Sequence, residues 1–326
     1  MDVDEVDGGC FGKPQKIYLK SDENYYKDDE ELRYIVGQVG QYRNTTRNSV
    51  QNNNVVDQYY KMNNQYRGHA LIFNHYKFKA GKFKERNGTH KDNERIKKTL
   101  LSLNFEVDEF RDLDYKYIQE HVKSAASKNY DDKDCVVVVI LSHGDPNIVY
   151  ANDQPYNPKS LWSKFCPLKN PTLKGKPVIF IINACQGSKY DHGIYFTETK
   201  SNYTDSNFNE SEIDTKPLSK EDMSHMEIPD QSDLLLIYST APGYYSWRSP
   251  DTGSWFIQTF CEILDELKYK EDLLTILTIV ICRVAYDYES RGLVTGKKQV
   301  PCFFSKLTKL LKFEESDEIE NKCCVN

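Results

Sequence analysis

The sequence predicts an α/β fold with a mostly parallel central sheet flanked by helices. Two continuous apolar, β-branched runs carry that expectation: Val136-Val137-Val138-Val139-Ile140-Leu141 and Val178-Ile179-Phe180-Ile181-Ile182. Neither alternates with polar residues, as a strand buried on both faces need not. Shorter runs of the same kind alternate with segments of helical period, the pattern of strands joined by crossover helices. With 326 residues, 39% of them hydrophobic, the chain can bury one substantial core.

In chain order, residues 1–58 are acidic and then rich in Asn, Gln and Tyr, with no sustained period, and read as largely disordered. Order is expected near Tyr60, with Arg67 to Asn74 as the first strand. Asp92 to Leu103 follows as an amphipathic helix, Phe105 to Phe110 as an alternating strand, and Tyr115 to Lys128 as a helix. The Val136 and Val178 strands come next. From Lys189 to Met226 Ser, Thr, Asn, Asp and Glu dominate, which predicts a mobile linker open to proteolysis. Leu234 to Tyr238 reads as a strand, Trp255 to Leu267 and Leu273 to Tyr288 as helices, and Val300 to Phe304 as a last strand. An acidic tail follows Phe313.

A net charge of −6 with no dense basic cluster excludes nucleic acid and anionic membrane as expected partners. The start, Met1 to Asp7, is acidic and lacks the basic and apolar parts of a secretory signal, so a cytoplasmic location is expected. Nine cysteines without a C-x-x-C pair argue against a disulfide framework or a zinc site, and no metal or cofactor is expected. The apolar segment from Leu273 to Ala285 is too short to span a bilayer and reads as a buried helix. Sequons at Asn44, Asn87, Asn202 and Asn209 carry little weight in such a chain. The end, Cys323-Cys324-Val325-Asn326, fits a prenylation pattern formally, but with an atypical last residue and an acidic approach.

The two long runs end in chemistry. The first is followed by Ser142-His143-Gly144 and the second by Asn183-Ala184-Cys185-Gln186-Gly187, and ligands of open α/β sheets bind beyond the carboxyl ends of strands. If the two strands are neighbours, an imidazole and a thiol can meet as a base-activated nucleophile. His143 would take the thiol proton and return it to a departing amine. Backbone N–H groups of Gly144 and Cys185 would bind the oxyanion.

Taken together, several stretches resemble the caspases, cysteine proteases that cut after aspartate, and most of all the insect executioner type. They are Arg67-Gly68 with Ala70 to His75, Ser142-His143-Gly144, Ala184-Cys185-Gln186-Gly187, Tyr238 to Arg248, Gly253-Ser254-Trp255-Phe256 and Lys298 to Cys302. The short family signature is Gln-Ala-Cys-(Arg/Gln/Gly)-Gly. The resemblance covers about Tyr60 to Phe313 and implies a caspase-like three-layer sandwich. It implies a zymogen with a prosegment (1–58), a large-subunit-like region (59–188) and an intersubunit linker (189–226). A small-subunit-like region (227–313) and the tail (314–326) complete it. It places Arg86 and Arg248 in a pocket for the substrate aspartate, planar guanidinium being suited to bidentate recognition of carboxylate. It also gives Tyr245, Trp247 and Trp255 to subsites upstream of the cut. Implied partners are protein substrates, a second copy in a homodimer, an upstream activating caspase and caspase inhibitors.

Four departures bear on activity. Asn183 stands where the family has Gln in the aspartate pocket. Asp145-Pro146-Asn147 replaces an acidic, glycine-ended turn. Ser290 to Gly296 is shorter than the matching loop, and Ser249 replaces an Asn that reads a distal acid. Processing is expected after Asp7, in Asp4-Glu5-Val6-Asp7-Gly8, and after Asp214, with Asp205 a weaker linker candidate. The alternative reading is a catalytically weak homologue that regulates another caspase. A Cys-His protease cutting after basic residues is disfavoured, because two arginines would repel that substrate.

Overall fold

A six-stranded sheet divides the buried apolar side chains of the described residues into two cores. The computed structural model describes residues 58–64, 66–79, 83–193, 232–291 and 294–315. In it β1 (Tyr66–Asn74), helix α1 (Thr89–Ser102), β2 (Phe105–Arg111), helix α2 (Tyr115–Ala126) and β3 (Lys133–Leu141) follow one another. Three short strands come next: β4 (Gly144–Asp145), β5 (Ile148–Tyr150) and β6 (Pro155–Tyr156). They precede the one-turn helix α3 (Lys159–Trp162), β7 (Val178–Asn183) and β8 (Leu234–Tyr238). A hairpin of β9 (Arg248–Ser249) and β10 (Gly253–Ser254) leads into α4 (Trp255–Leu267), α5 (Leu273–Asp287) and β11 (Cys302–Ser305).

The main sheet has the order β11-β8-β7-β3-β1-β2, parallel throughout except that edge strand β11 runs antiparallel to β8. Strand side chains alternate faces, so the unbroken runs feed both cores. Val137, Val139, Ile179 and Ile181 pack with α1, α4 and α5. Val136, Val138, Ile140, Val178, Phe180 and Ile182 pack with α2 and α3. Each such side chain taken fully from water contributes about 1.5–3 kcal/mol, which explains why neither run alternates with polar residues. Caps set two helix starts: Ser254 Oγ accepts the Ile257 N–H at 3.2 Å, and Asp272 accepts those of Leu274 and Thr275.

The expected mostly parallel, helix-flanked sheet is present, with shifted boundaries. Helix α1 starts at Thr89, three residues before the first helical period shows, because the Gly88 turn at φ +84° delivers the chain into it. The last strand is Cys302–Ser305 instead of Val300 to Phe304, since it pairs with Leu235–Tyr238. The strands β4 to β6 and the β9–β10 hairpin are too short to leave a period. Most of the acidic prosegment, linker and tail lies outside the described residues, as do Asp7, Asp205 and Asp214. Where the ends are described they are tied: Gln58 O accepts from Leu310 N, and Lys189 and Asp191 bond to Gly243, Tyr245 and Lys298. No helix among the described residues is long and apolar enough to cross a membrane.

Candidate active site

The register of two neighbouring strands positions the thiol and the imidazole. Strands β3 and β7 pair in parallel with Leu141 opposite Asn183, so Ser142-His143 and Ala184-Cys185 leave the sheet side by side at its carboxyl edge. Ser142 N donates to Asn183 O at 3.1 Å, carrying the pairing one residue further. Gly144 then lies against the cysteine backbone: a Cβ there would sit 2.4 Å from Cys185 O and 2.9 Å from Ala184 Cβ. Only glycine permits that approach.

His143 joins Phe78 and Phe83 in a three-ring cluster, stacked on Phe83 at 4.7 Å and tilted against Phe78 at 5.0 Å, and its Nε2 lies 3.4 Å from the Lys84 carbonyl. Burial first, and the Arg86 charge second, push its pKa down to about 3. The Cys185 thiol accepts the Ser246 N–H at 3.4 Å, and burial pushes its pKa up to about 12. The resting pair is therefore neutral imidazole and neutral thiol.

The two arginines come from distant segments. Arg86 is fully buried, its Nη1 donating to His75 O at 2.9 Å and Thr89 Oγ1 at 2.8 Å. Arg248, also buried, donates from Nε to Asn87 O at 2.7 Å, which joins the hairpin to the Arg86 turn. Asn183 is fully buried, and neither its amide nitrogen nor its oxygen has a hydrogen-bond partner among the described residues. Buried polar groups are seldom left so, each costing about 1–3 kcal/mol.

A family model, the caspase domain, matches residues 67–312. This chain belongs to the caspase family. A caspase from Spodoptera frugiperda, Caspase-1, is 40% identical over 259 residues, spanning 78% of this chain and 81% of that one. Caspase drICE from Drosophila melanogaster is 40% identical over 260 residues, spanning 78% and 72%. The crystal structure of Caspase-1 from Spodoptera frugiperda superposes with a TM-score of 0.70 at 37% identity, covering 82% of this caspase and 97% of that chain. The protein is thus a cysteine-type endopeptidase, a caspase zymogen with a protease role in apoptosis.

The site residues are largely buried. Cys185 is 3% exposed, His143 7%, Arg248 1% and Trp247 1%. Tyr245, Trp247 and Trp255 lie in one aromatic row: Trp247 and Trp255 stack at 5.6 Å, and Tyr190 packs on Tyr245 at 4.7 Å and Trp247 at 6.0 Å. The turn after His143-Gly144 is a tight β4–β5 hairpin, with Asn147 at φ +60° and Tyr150 OH donating to Asp145. Ser249 turns its hydroxyl onto the Asp251 and Thr252 N–H groups of its own hairpin. The Ser290 to Gly296 loop is held at its ends, Ser290 N donating to Lys297 O at 2.9 Å.

Sequence reasoning missed four neighbours of the site. The Lys84 carbonyl is a backbone group and leaves no trace in the sequence. Phe78 and Phe83 flank residues 80–82 in a stretch with no period. His75, buried with both ring nitrogens unpartnered among the described residues and its pKa lowered to about 3 by burial, reads in the sequence as one letter of a strand end. Among the described residues no group of three or more His, Cys, Asp or Glu could hold a metal ion.

Proposed function

We propose that Cys185 and His143 are the nucleophile and general base of this caspase, and that Arg86, Arg248 and Asn183 bind the substrate aspartate. The observation that supports this most is the β3–β7 register, which brings the two residues to one edge with Gly144 against the Cys185 backbone. His143 takes the thiol proton as sulfur attacks the carbonyl carbon. The oxyanion is held by the N–H groups of Gly144 and Cys185, and the imidazolium then protonates the departing amine. Water hydrolyses the thioester by the same route. A neutral starting pair suits this order, because proton and sulfur move together on a bound substrate. Tyr245, Trp247 and Trp255 receive the residues upstream of the aspartate. The test is covalent labelling of Cys185 by an aspartyl chloromethylketone in parent protein and in His143→Ala, read by mass spectrometry. Parent labelling at another cysteine would overturn the assignment.

Opening the site is assigned to proteolysis between the large-subunit-like (59–188) and small-subunit-like (227–313) regions. Tyr190, packed on the subsite aromatics, lies on the segment that leads into the linker, so a cut there frees it to withdraw. An upstream caspase cuts after Asp214, and a second cut after Asp7 removes residues 1–7. N-terminal sequencing of matured protein should find Thr215 and Gly8 as new termini. An uncut linker in fully active protein would sink this. The mature form pairs with a second copy along edge strand β11, acts in the cytoplasm and is open to caspase inhibitors.

A weaker catalyst that tunes another caspase is the second reading, favoured by the unpartnered Asn183 amide. Against Gln, Asn withdraws its amide by about 1.5 Å, one carbon–carbon bond, and forfeits a direct bond to the substrate carboxylate. A hydrogen bond to a charged group contributes about 1.5–3 kcal/mol. Asn183→Gln is therefore expected to raise kcat/KM on aspartyl peptides about ten- to a hundredfold. Lower or unchanged activity would mean that the pocket is built around Asn183. An inert parent made active by the change would favour the regulator.

A further inference from the structure

We propose that Asp92 is a positioning residue of the aspartate pocket, holding the Arg248 hairpin on the Arg86 turn; this rests on the reading of those two arginines as the carboxylate site. The arginines come from opposite sides of the linker, so once it is cut no covalent path fixes their spacing. Contacts across the seam must do so. Asp92 lies in the first turn of α1, just beyond the Arg86 turn, and its Oδ1 accepts the Ser254 N–H at 2.8 Å and Gln258 Nε2 at 2.9 Å. Ser254 is the β-partner of Arg248. The hairpin backbone is pressed onto the carboxylate: at Gly253, φ +90°, a Cβ would fall 2.4 Å from Asp92 Oδ1. At Gly88, φ +84°, a Cβ would fall 2.3 Å from Ser249 O, so the Arg86 turn and the hairpin touch there as well.

The carboxylate is fully buried and its Oδ2 has no hydrogen-bond partner among the described residues. Burial raises its pKa to about 6, with the Arg86 charge among the effects opposing that rise. An acid kept at such a cost, and satisfied by the hairpin amide and the first turn of α4, is placed to lock one pocket segment onto the other. Mispositioning of a binding group by about 1 Å can cost a hundredfold.

The experiment uses linker-cut full-length protein and a fluorogenic tetrapeptide ending in Asp, with its Asn counterpart as control. Asp92→Ala is expected to raise KM for the aspartyl peptide about thirtyfold with kcat within about twofold. Asp92→Asn removes the charge that strengthens both bonds to Oδ1, and Gln258→Leu removes one of the two donors, so each should raise KM about fivefold. Should Asp92→Ala fail to fold, the other two decide, and parental KM in both overturns the inference. A fall in kcat with unchanged KM overturns it too, since a role in positioning the carboxylate-binding arginines must appear in KM. Parent protein that cleaves Asp and Asn peptides equally would overturn the pocket reading and this inference with it. A parent selective for Asp beside variants of parental KM overturns this inference alone.

Discussion

Cys185→Ala is expected to abolish peptidase activity, with kcat/KM falling at least about 10⁴-fold, and His143→Ala to fall nearly as far. The reason lies in the resting state. Burial holds the thiol near 12 and the imidazole near 3, so almost no thiolate exists at neutral pH without a base that takes the proton during attack. Removing the base therefore leaves a thiol that cannot attack, and removing the thiol leaves a base with nothing to activate. The two act as a unit, so the double variant should lose little more than either single one. Measuring kcat/KM on an aspartyl fluorogenic peptide for both single variants and the double variant checks this. Additive losses, or either variant retaining more than about a tenth of parental activity, would show that the two residues do not share one step. Folding is not at issue for Cys185→Ala, which trades a thiol for a methyl at a buried position.

A feature of this caspase is legible in its sequence in proportion to the number of residues it spans. The β3 and β7 runs predict buried neighbours because six and five consecutive apolar residues leave no polar face. The His and Cys at their ends follow from that pairing. The β4–β6 sheet escapes because two- and three-residue strands have no period, although Asn147 takes the left-handed turn there. The packing of Tyr190 on the aromatic row is not legible at all. Tyr190 reads as the start of a polar linker, and only the bonds of Lys189 and Asp191 to residues 243–245 and 298 show that it is carried onto Tyr245 and Trp247. Likewise Asp92 looks like an ordinary acid in a helix's first turn, because its partners Ser254 and Gln258 are 162 and 166 residues away.

Neutralising the arginines should have the next largest effect, and the two losses should differ in kind. A substrate carboxylate entering a closed pocket loses its water and is restored by charge-assisted hydrogen bonds of about 1.5–3 kcal/mol each. A guanidinium that makes two of them is worth about 3–6 kcal/mol, so either Arg→Ala change should lower kcat/KM on aspartyl peptides by about 10³-fold. The preference for Asp over Asn should collapse with it. Arg86 does more than bind. Its charge lowers the pKa of both His143 and Cys185, whereas Arg248 is anchored to the Asn87 carbonyl in the pocket wall. Removing Arg86 moves both the imidazole and the thiol up, so a stronger base faces a weaker acid and sulfur becomes a poorer leaving group. Arg86→Ala should therefore change kcat and the pH profile as well as KM, with the acid limb set by His143 shifted to higher pH. Arg248→Ala should act almost wholly on KM and leave that limb in place. Pairs of Asp and Asn peptides, assayed across the acid and neutral range, separate the cases. Unaltered Asp preference in both variants would remove the carboxylate pocket from the mechanism, and identical pH profiles would remove the electrostatic role of Arg86 while leaving the pocket standing.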